Sequence, residues 1–291
     1  MSHTEETRRK HQSGVYMYLS FDLMNSTAFK DREPRWPFVM HYFYVETVAA
    51  VRAASSRFHV WKYIGDEVTF WQVLPEGADL PALMRRIHAA VQSVRERLDG
   101  LQDKYDVRTR HQLGVKGTAW IASAEFVPAS KLEQHLEVAR PRHVNRILEE
   151  RVTLEAEGDG GHGLQNVVDF IGPEIDIGFR LTKFAHNGFL LLNAPLASIL
   201  LRQADEDSIP ARVVSLEALK GVWGGRPYPV VWYCEPWDHP EENFAYDEAL
   251  QHPIVARVLA GQTQTLRLVN RALRDMNLEE QVDHIAAQLK V

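Results

Sequence analysis

Lys62-Tyr63-Ile64-Gly65-Asp66 separates two β-like runs, Phe58-His59-Val60-Trp61 before it and Val68-Thr69-Phe70-Trp71 after it. A Gly-Asp pair between two strands predicts a tight hairpin with a carboxylate fixed at its tip. A second carboxylate, Asp22, ends another strand pattern 44 residues earlier. There Val15, Met17, Leu19, Phe21 and Leu23 alternate with Tyr16, Tyr18, Ser20 and Asp22. Period two makes this a strand, with Asp22 on its less apolar face. Two acids on neighbouring strand ends suit a phosphoryl-transfer site served by two Mg²⁺ or Mn²⁺ ions, which prefer oxygen ligands.

The pattern extends outward in both directions. Met24-Asn25-Ser26-Thr27 reads as a turn into a helix whose backbone N–H groups can receive phosphate. Residues 38–54 carry apolar side chains at helical spacing (Phe38, Tyr42, Val45, Val48, Val51), and Pro81 opens a long amphipathic helix to about Leu101. Residues 111–122 read as a strand. Glu155 to Gln165, rich in glycine, reads as an exposed loop. Val167–Phe170 is a short strand, 175–185 a helix, 189–192 a strand, and a further helix starts near Pro195. Val230–Cys234 reads as the last core strand, and helical patterns return from Asp247. The basic residues Arg140, Arg142, His143, Arg146 and Arg151 are expected on a solvated helix with Glu149 and Glu150. Irregular alternation with hairpins predicts an α+β fold, with helices packed on a mixed sheet.

The composition excludes several classes. The chain has 291 residues, 45% of them hydrophobic, and a net charge of -6. No global basic field argues for nucleic acid. The one cysteine, Cys234, rules out an intrachain disulfide and suits a reducing cytoplasm. The longest apolar run, Gly188 to Leu201, is interrupted by Asn193 and Pro195 and is too short to span a bilayer. No Gly-x-Gly-x-x-Gly or P-loop sequence is present, and no His or Cys spacing suggests structural zinc.

Four separated motifs together resemble the class III nucleotidyl cyclases. Phe21-Asp22-Leu23-Met24-Asn25-Ser26-Thr27 looks like that family's first metal strand and phosphate loop. Lys62-Tyr63-Ile64-Gly65-Asp66-Glu67 looks like its second metal hairpin. Asp169-Phe170-Ile171-Gly172-Pro173-Glu174-Ile175-Asp176-Ile177-Gly178-Phe179-Arg180-Leu181 looks like the stretch carrying its transition-state groups. Leu219-Lys220-Gly221-Val222 looks like its phosphate-binding lysine turn. The resemblance covers roughly residues 14–235, leaving 1–13 as a disordered N-terminus and 236–291 as a C-terminal helical extension.

The resemblance implies a ferredoxin-like palm acting as a head-to-tail homodimer with sites at the interface. It implies that Asp22, Asp66 and the Leu23 carbonyl bind two Mn²⁺ or Mg²⁺ ions. Ser26 and Thr27 would meet phosphate, Arg180 would stabilise charge on the reacting phosphate, and Lys220 would reach the terminal phosphates. Lys62 and Asp169 fall where the family reads the base edge. The partner would be a nucleoside triphosphate, with no nucleic acid and no membrane.

Two departures stand out. Asp176 replaces the family's usual Asn, so the group that orients the ribose can accept a hydrogen bond but, when ionised, cannot donate one. Tyr63 replaces a smaller polar residue beside Lys62, and Tyr42, Phe43 and Tyr44 add bulk nearby, as would suit a pocket of pyrimidine size. In its stand-alone architecture, with no sensor or membrane domain expected, the chain looks like the pyrimidine cyclases of Pycsar antiphage defence, which make cyclic UMP or cyclic CMP. An adenylate cyclase making cyclic AMP and a catalytically dead, cyclase-like nucleotide-binding module are the alternatives.

Overall fold

A computed structural model describes residues 13–105, 113–126, 145–155, 162–203, 209–221, 225–235 and 262–291. Nine strands among them form one mixed sheet: β1 (Gly14–Met24), β2 (His59–Ile64), β3 (Glu67–Val73), β4 (Gly114–Phe126), β5 (Asn145–Glu155), β6 (His162–Ile171), β7 (Leu190–Leu192), β8 (Ala211–Ala218) and β9 (Pro227–Tyr233). The helices are α1 (Ser26–Lys30), α2 (Trp36–Ala54), α3 (Leu80–Lys104), α4 (Pro173–Leu181), α5 (Ala194–Gln203), α6 (Gln262–Asp275) and α7 (Glu279–Leu289). A short 3₁₀ turn at Thr182–Phe184 follows α4.

The strand order is β2-β3-β1-β4-β7-β9-β8, with β5 also pairing with β4 and β6 pairing with β5. β1 lies between antiparallel β3 and β4, so both of its edges are hydrogen-bonded. Its alternation divides two apolar cores. Val15, Met17, Leu19, Phe21 and Leu23 join the main core with α2, α3, α5, α6 and α7. Tyr16 and Tyr18 face a smaller aromatic core with Trp71, Trp120, Phe170 and Ile175. Helix α3 starts where the Asp79 carboxylate accepts from the Ala82 N–H at 2.9 Å, and it buries one stripe from Leu80 to Leu101. The C-terminal helices add Val269, Leu273, Val282 and Ile285 to the main core.

β4 changes partner along its length. Residues Gly117–Ala119 pair in parallel with β7, and Ala124–Phe126 pair in parallel with β5. The gap is filled by side chains. Asn193 bonds both the N–H and the C=O of Ile121, and Asn145 donates to the Ser123 carbonyl at 2.8 Å. Helix α4 is wedged at this fork, with Ile175 in the aromatic core and Ile177 and Leu181 in the main one. Gly178 is required there, because a Cβ would fall inside the Trp120 indole.

Two expectations are corrected. The basic segment read as a helix is strand β5 from Asn145 onward, because its backbone pairs with β6 from Arg146↔Ile171 to Glu155↔His162. Arg140, Arg142 and His143 lie outside the described residues. The segment read as a loop to Gln165 is in part strand, since β6 begins at His162. The β8 strand, unread in the sequence, completes the sheet edge beside β9. The N-terminal residues 1–12 and residues 236–261 lie outside the described residues.

Candidate functional site

The Gly65-Asp66 turn joins β2 to β3 with Ile64 opposite Glu67. Gly65 has φ +64°, a conformation that glycine adopts without strain. The turn is pinned twice more. The Tyr44 hydroxyl donates to the Gly65 carbonyl, and the Leu23 N–H donates to the Asp66 carbonyl at 3.2 Å. The second bond holds the end of β1 against the hairpin tip and so brings Asp22 and Asp66 together. Burial is the main cause that raises the Asp22 pKa, and the neighbouring Asp66 charge adds to it.

Three donors hold the acids in this corner. The Ser26 hydroxyl, buried at the start of α1, donates to Asp66 Oδ2. The Ser20 hydroxyl donates to Glu67. Lys116 on β4 sits directly opposite Asp22 in register, with its Nζ 2.9 Å from Asp22 Oδ2. Burial lifts the Asp22 and Glu67 carboxyls above their ordinary range, and Lys116 and Ser20 oppose that rise. Thr27 is exposed beside Ser26.

This donor set fits a Mg²⁺ or Mn²⁺ ion. Among the described residues no three His, Cys, Asp or Glu side chains form a metal-holding group. Two carboxylates, Asp22 and Asp66, with a neighbouring strand-end carbonyl leave coordination positions for phosphate and water, which is how Mg²⁺ is commonly held. Glu67 is turned to Ser20 instead.

A second group gathers around Asp169. Its Oδ1 receives the Trp61 indole N–H at 3.0 Å and the Phe170 N–H at 2.9 Å, and lies 2.7 Å from Lys62 Nζ. The arm formed by β5 and β6 delivers it. Phe170 packs on Tyr16, Tyr18, Trp61 and Trp71 with ring centroids 5.1–5.3 Å apart. Trp61 is the aromatic that touches the pair: Lys62 Nζ lies 4.8 Å above its ring, and Phe179 lies 5.5 Å away. Tyr63 is 54% exposed and packs against Tyr44 with ring centroids 5.1 Å apart and the rings tilted, so it lies at the hairpin tip.

The remaining residues lie along α4. Asp176 and Arg180 are one turn apart and both exposed. Arg180 donates to the Lys220 carbonyl, and Gly221 follows with φ +73°. The Lys220 side chain is exposed. Among the described residues no hydrogen bond or ion pair joins Asp176, Arg180 or Lys220 to Asp22 or Asp66. One chain thus presents two separate groups: carboxylates on the β1–hairpin corner, and the Lys62–Asp169 pair with Arg180 and Lys220 beside α4.

Sequence reasoning missed Lys116, Trp61 and Ser20. A lysine inside the otherwise small and apolar run Leu113–Ala119 was the signal for the first. The other two required knowing that β6 crosses the sheet and that Ser20 lies diagonal to Glu67.

No protein-family model matches the chain, and no curated protein matches its sequence. Solved structures do. The adenylyl cyclase CyaB from P. aeruginosa superposes with a TM-score of 0.51 at 14% identity, over 77% of this chain and 95% of that one. The guanylyl cyclase Cya2 aligns with a TM-score of 0.48 at 13% identity, over 78% of this chain and 98% of that one. An adenylate/guanylate cyclase/hydrolase from Silicibacter pomeroyi gives 0.44 at 12%, over 77% and 99%. The mixed sheet with its packed helices is the class III cyclase palm fold. Among the described residues no helix is long and apolar enough to cross a membrane.

Proposed function

We propose that the chain is a nucleotidyl cyclase that converts a pyrimidine nucleoside triphosphate, UTP or else CTP, to its 3′,5′-cyclic nucleotide and pyrophosphate. The observation that carries the cyclase reading is the conjunction of two half-sites on this fold. Asp22 and Asp66 meet at one corner, and Lys62, Asp169, Asp176 and Arg180 stand apart from them. A head-to-tail pair of copies would bring one copy's carboxylates to the other's α4, and the substrate would lie between them.

In the reaction the ribose 3′-oxygen attacks the α-phosphorus. The bond from that phosphorus to the bridging oxygen breaks, pyrophosphate leaves with the electron pair, and the 3′-hydroxyl proton passes to solvent. Mg²⁺ or Mn²⁺, held by Asp22, Asp66 and the Leu23 carbonyl, would lower the pKa of the attacking hydroxyl and neutralise the triphosphate. Ser26 fixes the Asp66 carboxylate through its hydroxyl. Arg180, tied back to the Lys220 carbonyl, presents its guanidinium to charge that grows on the reacting phosphate. Asp176 accepts a hydrogen bond from the sugar. Lys220 meets the terminal phosphates.

Lys62 and Asp169 offer one donor and one acceptor to a base edge. A pyrimidine is the favoured base, because the Trp61 indole occupies space directly beside the pair. A cyclic pyrimidine nucleotide would then act as a second messenger, as in the antiphage systems that the chain resembles. The test is incubation with Mn²⁺ and each of ATP, GTP, CTP and UTP separately, with products identified by mass. Cyclic UMP or cyclic CMP is expected. Cyclic AMP alone would overturn the pyrimidine assignment and keep the cyclase. Absence of any cyclic product, with nucleotide still bound, would overturn the enzyme reading in favour of a binding module.

A further inference from the structure

We propose that Lys116 is a tethered cation that neutralises Asp22 in the metal-free protein and must be displaced before a divalent ion can bind. It thereby sets the metal concentration at which the site becomes competent. This rests on the metal-site reading above.

The argument begins with strand register. Lys116, Asp22 and Glu67 lie in one row across β4, β1 and β3, since Asp22 pairs with Lys116 on one side and with Glu67 on the other. The ammonium is 2.9 Å from Asp22 Oδ2, and both side chains are largely withdrawn from water, at 18% and 20% exposure. The strand around the lysine is made of small or apolar residues, with Gly114, Val115, Gly117 and Thr118 on either side. The lysine stem therefore reaches across to the acid on the neighbouring strand, flanked on its own face by Gly114 and Thr118.

The three acids are held by different kinds of donor. Asp66 and Glu67 each accept from a serine hydroxyl. Asp22, among the described residues, is the one held by a cation. A neutral hydroxyl remains compatible with a divalent ion on the same carboxylate, because a second lone pair is available. An ammonium does not, because its charge would face the ion across one oxygen in a poorly hydrated corner. Lysine also suits a reversible role, being a point charge on a flexible four-carbon stem and lacking the rigid fork of arginine. Without it, Asp22 would stand half-buried beside Asp66 and Glu67 with no compensating charge whenever the ion is absent.

The test uses the full chain, with MnCl₂ alone as the probe and no nucleotide. Isothermal titration compares wild type with Lys116→Met, which keeps the stem and removes the charge. The Kd for Mn²⁺ is expected to fall about fivefold, the equivalent of one partly screened ion pair. In parallel, wild type is labelled with an amine-acetylating reagent and digested for mass spectrometry. Labelling of Lys116 is expected to rise several-fold when Mn²⁺ saturates the site. If Lys116→Met does not melt cooperatively, Lys116→Gln is read in its place. An unchanged Kd together with flat Lys116 labelling, in a protein whose Mn²⁺ binding is lost in Asp22→Asn, overturns the tethered cation and leaves the metal site intact. Wild type that binds no Mn²⁺, or binds it equally well with Asp22→Asn, overturns both.

Discussion

Asp66 stands on a turn fixed by a glycine, a tyrosine hydroxyl and the Leu23 N–H, so its carboxylate has little freedom to move. Asp66→Asn keeps the shape and removes the charge, and turnover is expected to become undetectable while the melting temperature stays close to wild type. Arg180→Ala is expected to leave a trace, with kcat lower by ~10²–10³ and KM little changed, as for loss of one transition-state donor. Steady-state pyrophosphate release reads both. Trp61→Leu should relax base choice by at least ~10-fold in the ratio of ATP to UTP turnover, because it removes bulk beside Asp169. Competition between the two nucleotides measures that ratio. Asp22 and Asp66 could be picked out as candidates in the sequence because strand alternation and a Gly-Asp turn place them at neighbouring strand ends, whereas Lys62 and Asp169 are singled out only by the family resemblance. Lys116 and Trp61 could be found in neither way, since their importance comes from cross-strand register and from the arm that carries Phe170 over the sheet.

At the scale of elements, α4 is the part whose placement matters most. It carries Asp176 and Arg180, and it is seated by Gly178 against the Trp120 indole. Gly178→Ala is expected to cost on the order of 3 kcal/mol of stability, read by chemical denaturation, because the added methyl overpacks a closed corner. The same helix buries Glu174, which accepts from Asn145 on β5 and Gln281 on α7. Burial pushes the Glu174 carboxyl up from 4.5 to about 7. Its contribution to stability is fully present below 4.5 and is lost as the pH rises to about 7, where the folded chain at last gives up the proton. That loss amounts to roughly 3 kcal/mol. Denaturation at pH 5 and pH 8 should show this slope in wild type and a flatter one in Glu174→Gln. The segment 145–155 shows why elements were less legible than residues. Its arginines and glutamates favour a helix locally, and pairing with β6 overrides that preference.

At the scale of the molecule, the palm was legible because β1 and α3 carry clean periodicities, the hairpin a Gly-Asp turn and β9 a continuous apolar run. The fork at β4 was not, because it depends on Asn145 and Asn193 reaching across the sheet to backbone groups. The division of the site follows from that fork: α4 is held on one side of it, and the Asp22–Asp66 corner lies at the far end of β1. Mixing two impaired chains tests this division most directly. In the proposed head-to-tail pair, Asp66→Asn and Arg180→Ala would each damage a different half-site, so a mixed pair would retain one undamaged composite site. The account predicts that combining the two purified variants restores cyclic-nucleotide formation well above the sum of the separate preparations. No restoration, with wild type active and subunit exchange shown by light scattering of tagged copies, would contradict a site built between two copies of the chain.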